Sequence, residues 1–169
     1  NEAWTGHNGV KPMTEAQAHN IFKQLKPIAD VKIVWFAFYK GEPVAFFISI
    51  PELNQLYKHL NGQWNLWSKI KFMYMLKTGV CKKALGIVFG VVPTHQRKGV
   101  EGGLVVSFVK KLAWKKGFQY ENIEMNWIGD FNPKMMRVAE QIGSKIAKTH
   151  ITYRKLFDET KEFKRASFI

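Results

Sequence analysis

Seven residues, Gln96-Arg97-Lys98-Gly99-Val100-Glu101-Gly102, place two cations and two glycines where the hydrophobic pattern of the chain changes. Before them runs an apolar segment, Ala84 to Val92, that carries β-branched residues and stops at Pro93. From Gly102 onward apolar residues recur at helical spacing. The pattern predicts a strand, a phosphate-sized loop and a helix. A helix that opens there presents unpaired backbone N–H groups and the positive end of its dipole to the loop, so the chemistry on offer is anion binding. Neither Gly-x-x-x-x-Gly-Lys-Ser/Thr nor Gly-x-Gly-x-x-Gly occurs, which excludes the two commonest nucleotide-binding spacings. A surface turn with solvated cations is the competing reading, and the loop alone leaves both open.

Other reactive side chains are sparse. The five histidines, His7, His19, His59, His95 and His150, show no H-x-x-x-H or H-E-x-x-H spacing, so no metal site is expected. The lone Cys81 excludes an internal disulfide and a thiolate zinc cluster, and it fits a reducing, cytoplasmic compartment. It sits beside two lysines, yet a small strand-edge filler is preferred over a reactive thiol. A formal net charge of +13 implies attraction to anions in general, whether phosphorylated cofactors, nucleic acid or acidic lipid. The cations are spread over loops and helix faces, and no nucleic-acid motif is visible.

The elements that must position the loop are legible in order. With 169 residues, 46% of them hydrophobic, residues 1–169 read as one domain with its own core. Asn1 to Met13 is polar and expected to be irregular. Thr14 and Gln17 form a capping-box pair ahead of a helix from Glu15 to Lys26. Val31 to Tyr39 and Val44 to Ile50 read as a hairpin inside a sheet covered on both sides. Pro51 is expected to open a short helix with Leu53, Leu56, Tyr57 and Leu60 on one face, closed by Gly62. Residues 63–83 form an insert rich in aromatics and lysines, read first as packing on the sheet, then as a lid, and last as a membrane contact.

After the loop, the helix should continue to Gly117. A strand over Glu121 to Ile128 should then lie parallel to the Ala84 to Val92 strand. Asn132 and Pro133 open a further helix that ends at Gly143. Ser144 to Phe157 is expected as a last long strand, with Phe163 to Ile169 as an optional short one. No apolar run is long enough to span a bilayer, and no signal peptide pattern opens the chain. It begins at Asn1 without a methionine, as a processed form, an excised domain or part of a longer protein would.

The Gln96–Gly102 loop resembles the Q/R-x-x-G-x-G/A loop of the GNAT acyltransferase superfamily, with Glu101 in the slot of the second Gly or Ala. The element order matches, and Trp127-Ile128-Gly129-Asp130-Phe131-Asn132, the helix behind it and Gly143 are similar to a second motif of the family. Asn1-Glu2-Ala3-Trp4, Ile50-Pro51-Glu52-Leu53-Asn54-Gln55, Leu60-Asn61-Gly62, Glu124-x-x-Trp127, and Lys148-Thr149 with Tyr153 resemble the C-terminal GNAT-type domain of larger bacterial proteins. That likeness covers nearly the whole chain and implies a missing N-terminal portion.

The resemblance implies an α/β (α+β) fold with a mixed central sheet and helices on both faces, and transfer of an acyl group from acetyl- or another acyl-coenzyme A to an unidentified amine. Val91 and Val92 would then grip the pantetheine and supply the oxyanion donor. Lys98, Gly99, Val100, Glu101 and Gly102 would offer loop amides, Gln96 and Arg97 would shape the site, and Asn132 would contact the coenzyme. Glu124 is the first candidate base, with Asn126 orienting substrate or water. The alternative for Glu124 is a surface ion pair. Ala139 stands where the family has its tyrosine, and Tyr153 is the substitute considered. Two other functions stay open: a non-catalytic acyl-coenzyme A binding domain, and a transferase-like domain using an aminoacyl-tRNA donor.

Overall fold

The capping box at Thr14 closes in both directions. Gln17 N–H donates to Thr14 Oγ1 at 3.3 Å, Thr14 N–H donates to Gln17 Oε1 at 3.0 Å, and α1 (Glu15–Leu25) follows. The computed structural model describes residues 13–113, 116–158 and 160–162. The optional strand at Phe163 to Ile169 and nearly all of the expected irregular start lie outside that range.

The hairpin pairs β1 (Val34–Tyr39) with β2 (Glu42–Pro51). Its turn is made by Lys40 and Gly41, both in the left-handed region. β1 starts later than the sequence suggested, because Asp30 caps a 3₁₀ turn over Val31–Ile33 by accepting the Lys32 N–H at 3.0 Å. β2 also runs one residue further than expected and includes Pro51. Glu52 N–H donates to the Lys83 carbonyl at 2.8 Å, which keeps the chain extended past the proline, so α2 begins only at Asn54 (Asn54–Tyr57), followed by a 3₁₀ turn to Leu60. α3 (Leu66–Lys77) is capped by Asn65, whose side chain accepts the Ser68 N–H at 2.9 Å.

β3 (Lys83–Val91) joins β2 antiparallel, and β4 (Asn122–Met125) joins β3 parallel, giving a four-stranded mixed sheet in the order β1-β2-β3-β4. Between β3 and β4 runs α4 (Val100–Ala113). Its buried Phe108 meets Phe47 of β2 edge-on, with ring centroids 5.1 Å apart, and Trp35 of β1 at 5.6 Å. Leu104 and Val105 are buried beside it, so α4 is pinned across the hairpin. α5 (Pro133–Gln141) closes the order, with Asn132 accepting the Met135 N–H at 3.1 Å and Gly143 in the left-handed region behind it.

Two expectations are corrected. β1 is an edge strand and is buried on one side only: Trp35 and Ala37 pack against the core, whereas Phe36, Phe38 and Tyr39 are exposed. The Ser144 to Phe157 segment forms no strand; it is irregular, and nearly all of it is exposed. A strand needs a ladder partner as well as alternating side chains, and among the described residues β4 pairs with β3 alone and nothing from this segment joins its outer edge.

Candidate functional site

The site grows from a break in the sheet. β4 pairs with β3 from Lys83/Asn122 to Gly86/Met125, and Asn126 N–H closes the last bond, onto the Gly86 carbonyl, at 2.8 Å. Beyond Gly86, β3 keeps β2 as its partner up to Val91. The sheet is thus split along one edge of Ile87–Val91 among the described residues. The β2 ladder also skips Ile87: Ser49 faces Gly86 while Ile48 faces Val88. This bulge reverses the phase of the strand. Past it, Val92 N–H donates to the Val44 carbonyl at 2.9 Å, so the alternation turns Gly90 toward β2 and aims the backbone groups of Phe89 and Val91 into the split.

This arrangement brings Val91 to the split and corrects the expectation for Val92, whose N–H is already consumed by Val44. Gln96 reaches back along the strand, and its Nε2 donates to the Val91 carbonyl at 3.1 Å. Phe89 is the residue sequence reading missed. Its only signal was the Gly-flanked apolar run, which does not reveal a bulge.

At the end of β3, Pro93–His95 makes a 3₁₀ turn and the chain enters the loop. Arg97 (φ 61°) and Gly99 (φ 79°) both take left-handed backbone, a geometry that can turn neighbouring N–H groups into one concavity. A left-handed arginine costs on the order of 1 kcal/mol, a strain that points to a selected loop shape. α4 starts at Val100, two residues earlier than the glycine pattern suggested, and Gly103 N–H makes its first bond onto the Gly99 carbonyl at 2.9 Å. The amides of Gly99, Val100, Glu101 and Gly102 therefore stand at the helix start without an intrahelical acceptor. Lys98 is exposed in the same turn. Glu101 does not point away from the loop: its Oε1 lies 3.3 Å from the Arg97 nitrogen and accepts that N–H. The protein's own carboxylate thus already takes one of the loop amides.

The remaining predicted residues separate from one another. Glu124 is held by two ammonium groups, Lys83 at very short range and Lys148 at 2.9 and 3.2 Å. Hydrogen bonds from Lys83 and then Lys148 hold its carboxyl below the usual carboxylate range, which makes it a weaker base than a free carboxylate. The surface ion pair, not the poised base, is what the geometry shows. Asn126 is exposed and its N–H ends the β3/β4 ladder. Tyr153 lies in the irregular segment and is 86% exposed, so no strand brings it beside β4. Asn132 spends its side-chain oxygen on the α5 cap. His95, by contrast, sits half-buried between the split and the loop, with Thr94 Oγ1 3.0 Å from its Nδ1 and the Tyr39 ring 5.2 Å away. Cys81 is fully buried with its Sγ near the Lys83 and Glu52 carbonyls, and burial pushes the thiol up, which suits a filler. Among the described residues, no cluster of three or more His, Cys, Asp or Glu could hold a metal ion, and no helix is long and apolar enough to cross a membrane.

The Glu124 ion pairs carry a pH dependence. Because the folded-state carboxyl is the stronger acid, the pairs stabilise the fold fully above the ordinary carboxylate range. That contribution is lost as pH falls through the range toward the depressed value. Glu124→Gln is expected to flatten this limb of the stability curve. The effect is on the order of 1 kcal/mol or less, because the side chains of Lys83 and Glu124 each keep 24% of their surface exposed. Urea melts of both proteins across that pH range check it.

Comparison with known proteins fits this geometry. No protein-family model matches the chain. It is 28% identical over 158 residues to a bacterial ceramide synthase of Caulobacter vibrioides, covering 92% of this chain and 41% of that protein. It is 26% identical over the same length to protein YghO of Escherichia coli, covering 92% of this chain and 40% of that one. The chain therefore spans about two fifths of the length of these relatives. Among solved structures, AAC(6')-Iy in complex with the bisubstrate analogue CoA-S-monomethyl-acetylneamine superposes with a TM-score of 0.52 at 16% identity, over 91% of this chain and 84% of that one. The split sheet, the left-handed loop at the start of α4 and this superposition agree: the chain has the mixed α/β fold of the GNAT N-acetyltransferases.

Proposed function

We propose that this chain is the acyl-coenzyme A binding domain of an N-acyltransferase that moves an acyl group from the thioester to an amine. The observation that carries this reading is the split beside β3, which runs directly into the amide-rich start of α4. Acyl-coenzyme A would supply the activated carbonyl and a thiolate leaving group. The amine nitrogen forms the new C–N bond as the C–S bond breaks, and the proton lost by the amine ends on the departing sulfur, so the exchange is redox-neutral. The backbone N–H and carbonyl of Phe89 would bind the pantetheine as an added strand, and the Val91 N–H is the donor available to the thioester oxygen. Gly99, Val100, Glu101 and Gly102 would hold the pyrophosphate by their amides.

With Glu124 tied to two lysines, His95 is the side chain best placed to take the amine proton, directly or through one water. The name of the Caulobacter relative supports a lipid amine as acceptor, and use of acyl-coenzyme A suits a cytoplasmic setting. A second reading has its own support: Glu101 in the loop, Glu124 in ion pairs and Tyr153 exposed favour a domain that binds acyl-coenzyme A without turnover.

The test offers the protein short- and long-chain acyl-coenzyme A with either a simple alkylamine or a long-chain 2-amino alcohol, and measures free thiol. Amine-dependent thiol release, abolished in His95→Ala, supports the transferase with His95 as base. Ligand-induced stabilisation without release supports the binding domain. No stabilisation and no release overturn both.

A further inference from the structure

α3 is apolar on both sides. Its inner stripe, Ser68, Phe72 and Met75, is buried in the core. Its outer face is made of Leu66, Trp67, Ile70 and Tyr74, exposed by 70, 78, 52 and 68%, with Met73 at its border. Helical spacing places these side chains on one continuous surface, opposite the buried stripe. A contiguous apolar face of this kind marks an interaction site.

The charge around that face selects the partner. Lys69 and Lys71 lie on the two flanks of the helix, equally far from the centre of the outer face, and Lys77 follows Ile70 and Met73 along it at the C-terminal end. Lys71 Nζ donates to the His59 carbonyl at 2.8 Å, while Lys69 and Lys77 are exposed. The whole sequence from Glu52 to Glu101 contains no acidic residue between those two, yet it includes Lys58, Lys69, Lys71, Lys77, Lys82, Lys83, Arg97 and Lys98. A protein partner or a second copy of this chain would need to bring acids to such a surface. An anionic bilayer supplies phosphates at the level of the lysine heads and hydrocarbon at the level of the rings. Trp and Tyr at the border of an apolar face with lysines beside them is the arrangement a water–lipid boundary accommodates best.

We propose that the outer face of α3 docks this domain on an anionic lipid surface, with Trp67 and Ile70 entering the headgroup–acyl boundary and Lys69 and Lys77 pairing with lipid phosphates. The proposal is independent of acyl transfer, and the two can fail separately because vesicles are offered without coenzyme A. Protein is sedimented with phosphatidylcholine vesicles lacking or containing phosphatidylglycerol, at low and raised salt. Binding is expected only to the phosphatidylglycerol vesicles, with a blue shift of tryptophan emission, and it should weaken as salt rises. Lys69→Gln and Lys77→Gln should each lower affinity roughly fivefold. The double variant Trp67→Ser/Ile70→Ser should abolish binding with an unchanged melting temperature, since both side chains are already exposed. The proposal is overturned by absence of binding, by binding that survives the double variant, or by equal losses in Lys110→Gln and Lys145→Gln, which lie outside this face. It is also overturned if the chain is a dimer that the double variant dissociates.

Discussion

Phe108→Ala is expected to remove ~3–5 kcal/mol of stability, the range for truncating a fully buried aromatic side chain. Phe108 is 2% exposed and is the ring through which α4 contacts both strands of the hairpin, at 5.1 Å from Phe47 and 5.6 Å from Trp35. Loss of the ring removes its transfer free energy and two edge-to-face contacts, and it leaves a hole that β-strand backbone on one side cannot collapse to fill. Against a total of about 5–15 kcal/mol for an ordinary domain, this is a large fraction. The effect also reaches the loop, because the same helix that carries Phe108 carries the Gly99–Gly102 amides at its other end. Urea unfolding measures the change as a lower midpoint at constant slope. A loss below about 1 kcal/mol would mean that α4 is held by Leu104 and Val105 without help from the ring. Phe108→Leu, which keeps much of the volume, should fall between the two.

What the sequence announced correctly was carried by local chemistry. Thr14 with Gln17, and Asn132 with Pro133, mark helix starts because a side-chain oxygen there satisfies a backbone donor two or three residues away, whatever the rest of the fold does. The parallel pairing of β3 and β4 was legible because a helix separates them in the chain. The fold followed from such elements and from the loop that resembles the GNAT signature. The site was less legible, since its decisive features are not local. The bulge at Ile87 exists only relative to β2, and it determines that Phe89 and Val91, instead of Val91 and Val92, face the split. Glu124 meets Lys83, 41 residues away, and Lys148, 24 residues away. Its neighbours in sequence give no sign of either partner. Ser144 to Phe157 shows the same limit in reverse: alternation describes which way side chains would point in a ladder, and it does not decide whether the segment joins one. The aromatic insert was read first as packing, and half of that reading holds, with Phe72 and Met75 inside and Trp67 and Tyr74 outside. A helix with apolar residues on two opposite faces has no preferred face in sequence, so only the tertiary contacts choose one.

Gly99→Asp is expected to weaken the acyl-coenzyme A binding proposed for this domain by at least ~100-fold, about 2.7 kcal/mol, while leaving the fold intact. The backbone at Gly99 is left-handed, where aspartate is tolerated at a cost of about 1 kcal/mol, and a Cβ built there meets nothing within 4 Å. A carboxylate at the start of α4 interacts favourably with the helix dipole, which offsets part of that strain. The same carboxylate would occupy the concavity proposed for the pyrophosphate, taking its amides and repelling its charge. Glu101 already does a weaker version of this by accepting the Arg97 N–H. Glu101→Gln should therefore act in the opposite direction and tighten binding about fivefold, the equivalent of ~1 kcal/mol of relieved repulsion in a solvent-accessible loop. Thermal unfolding with and without desulfo-coenzyme A reads both changes on one scale. A ligand at about a hundred times its dissociation constant adds roughly 2.7 kcal/mol to the wild type, an increment that should vanish in Gly99→Asp and grow in Glu101→Gln. Gly99→Ala separates the two causes, since it keeps the backbone strain and removes the charge. If Gly99→Ala and Gly99→Asp lose the increment equally, loop shape governs the site. If neither loses it, the coenzyme is not held at this helix start, and the likeness to the GNAT loop is one of fold alone.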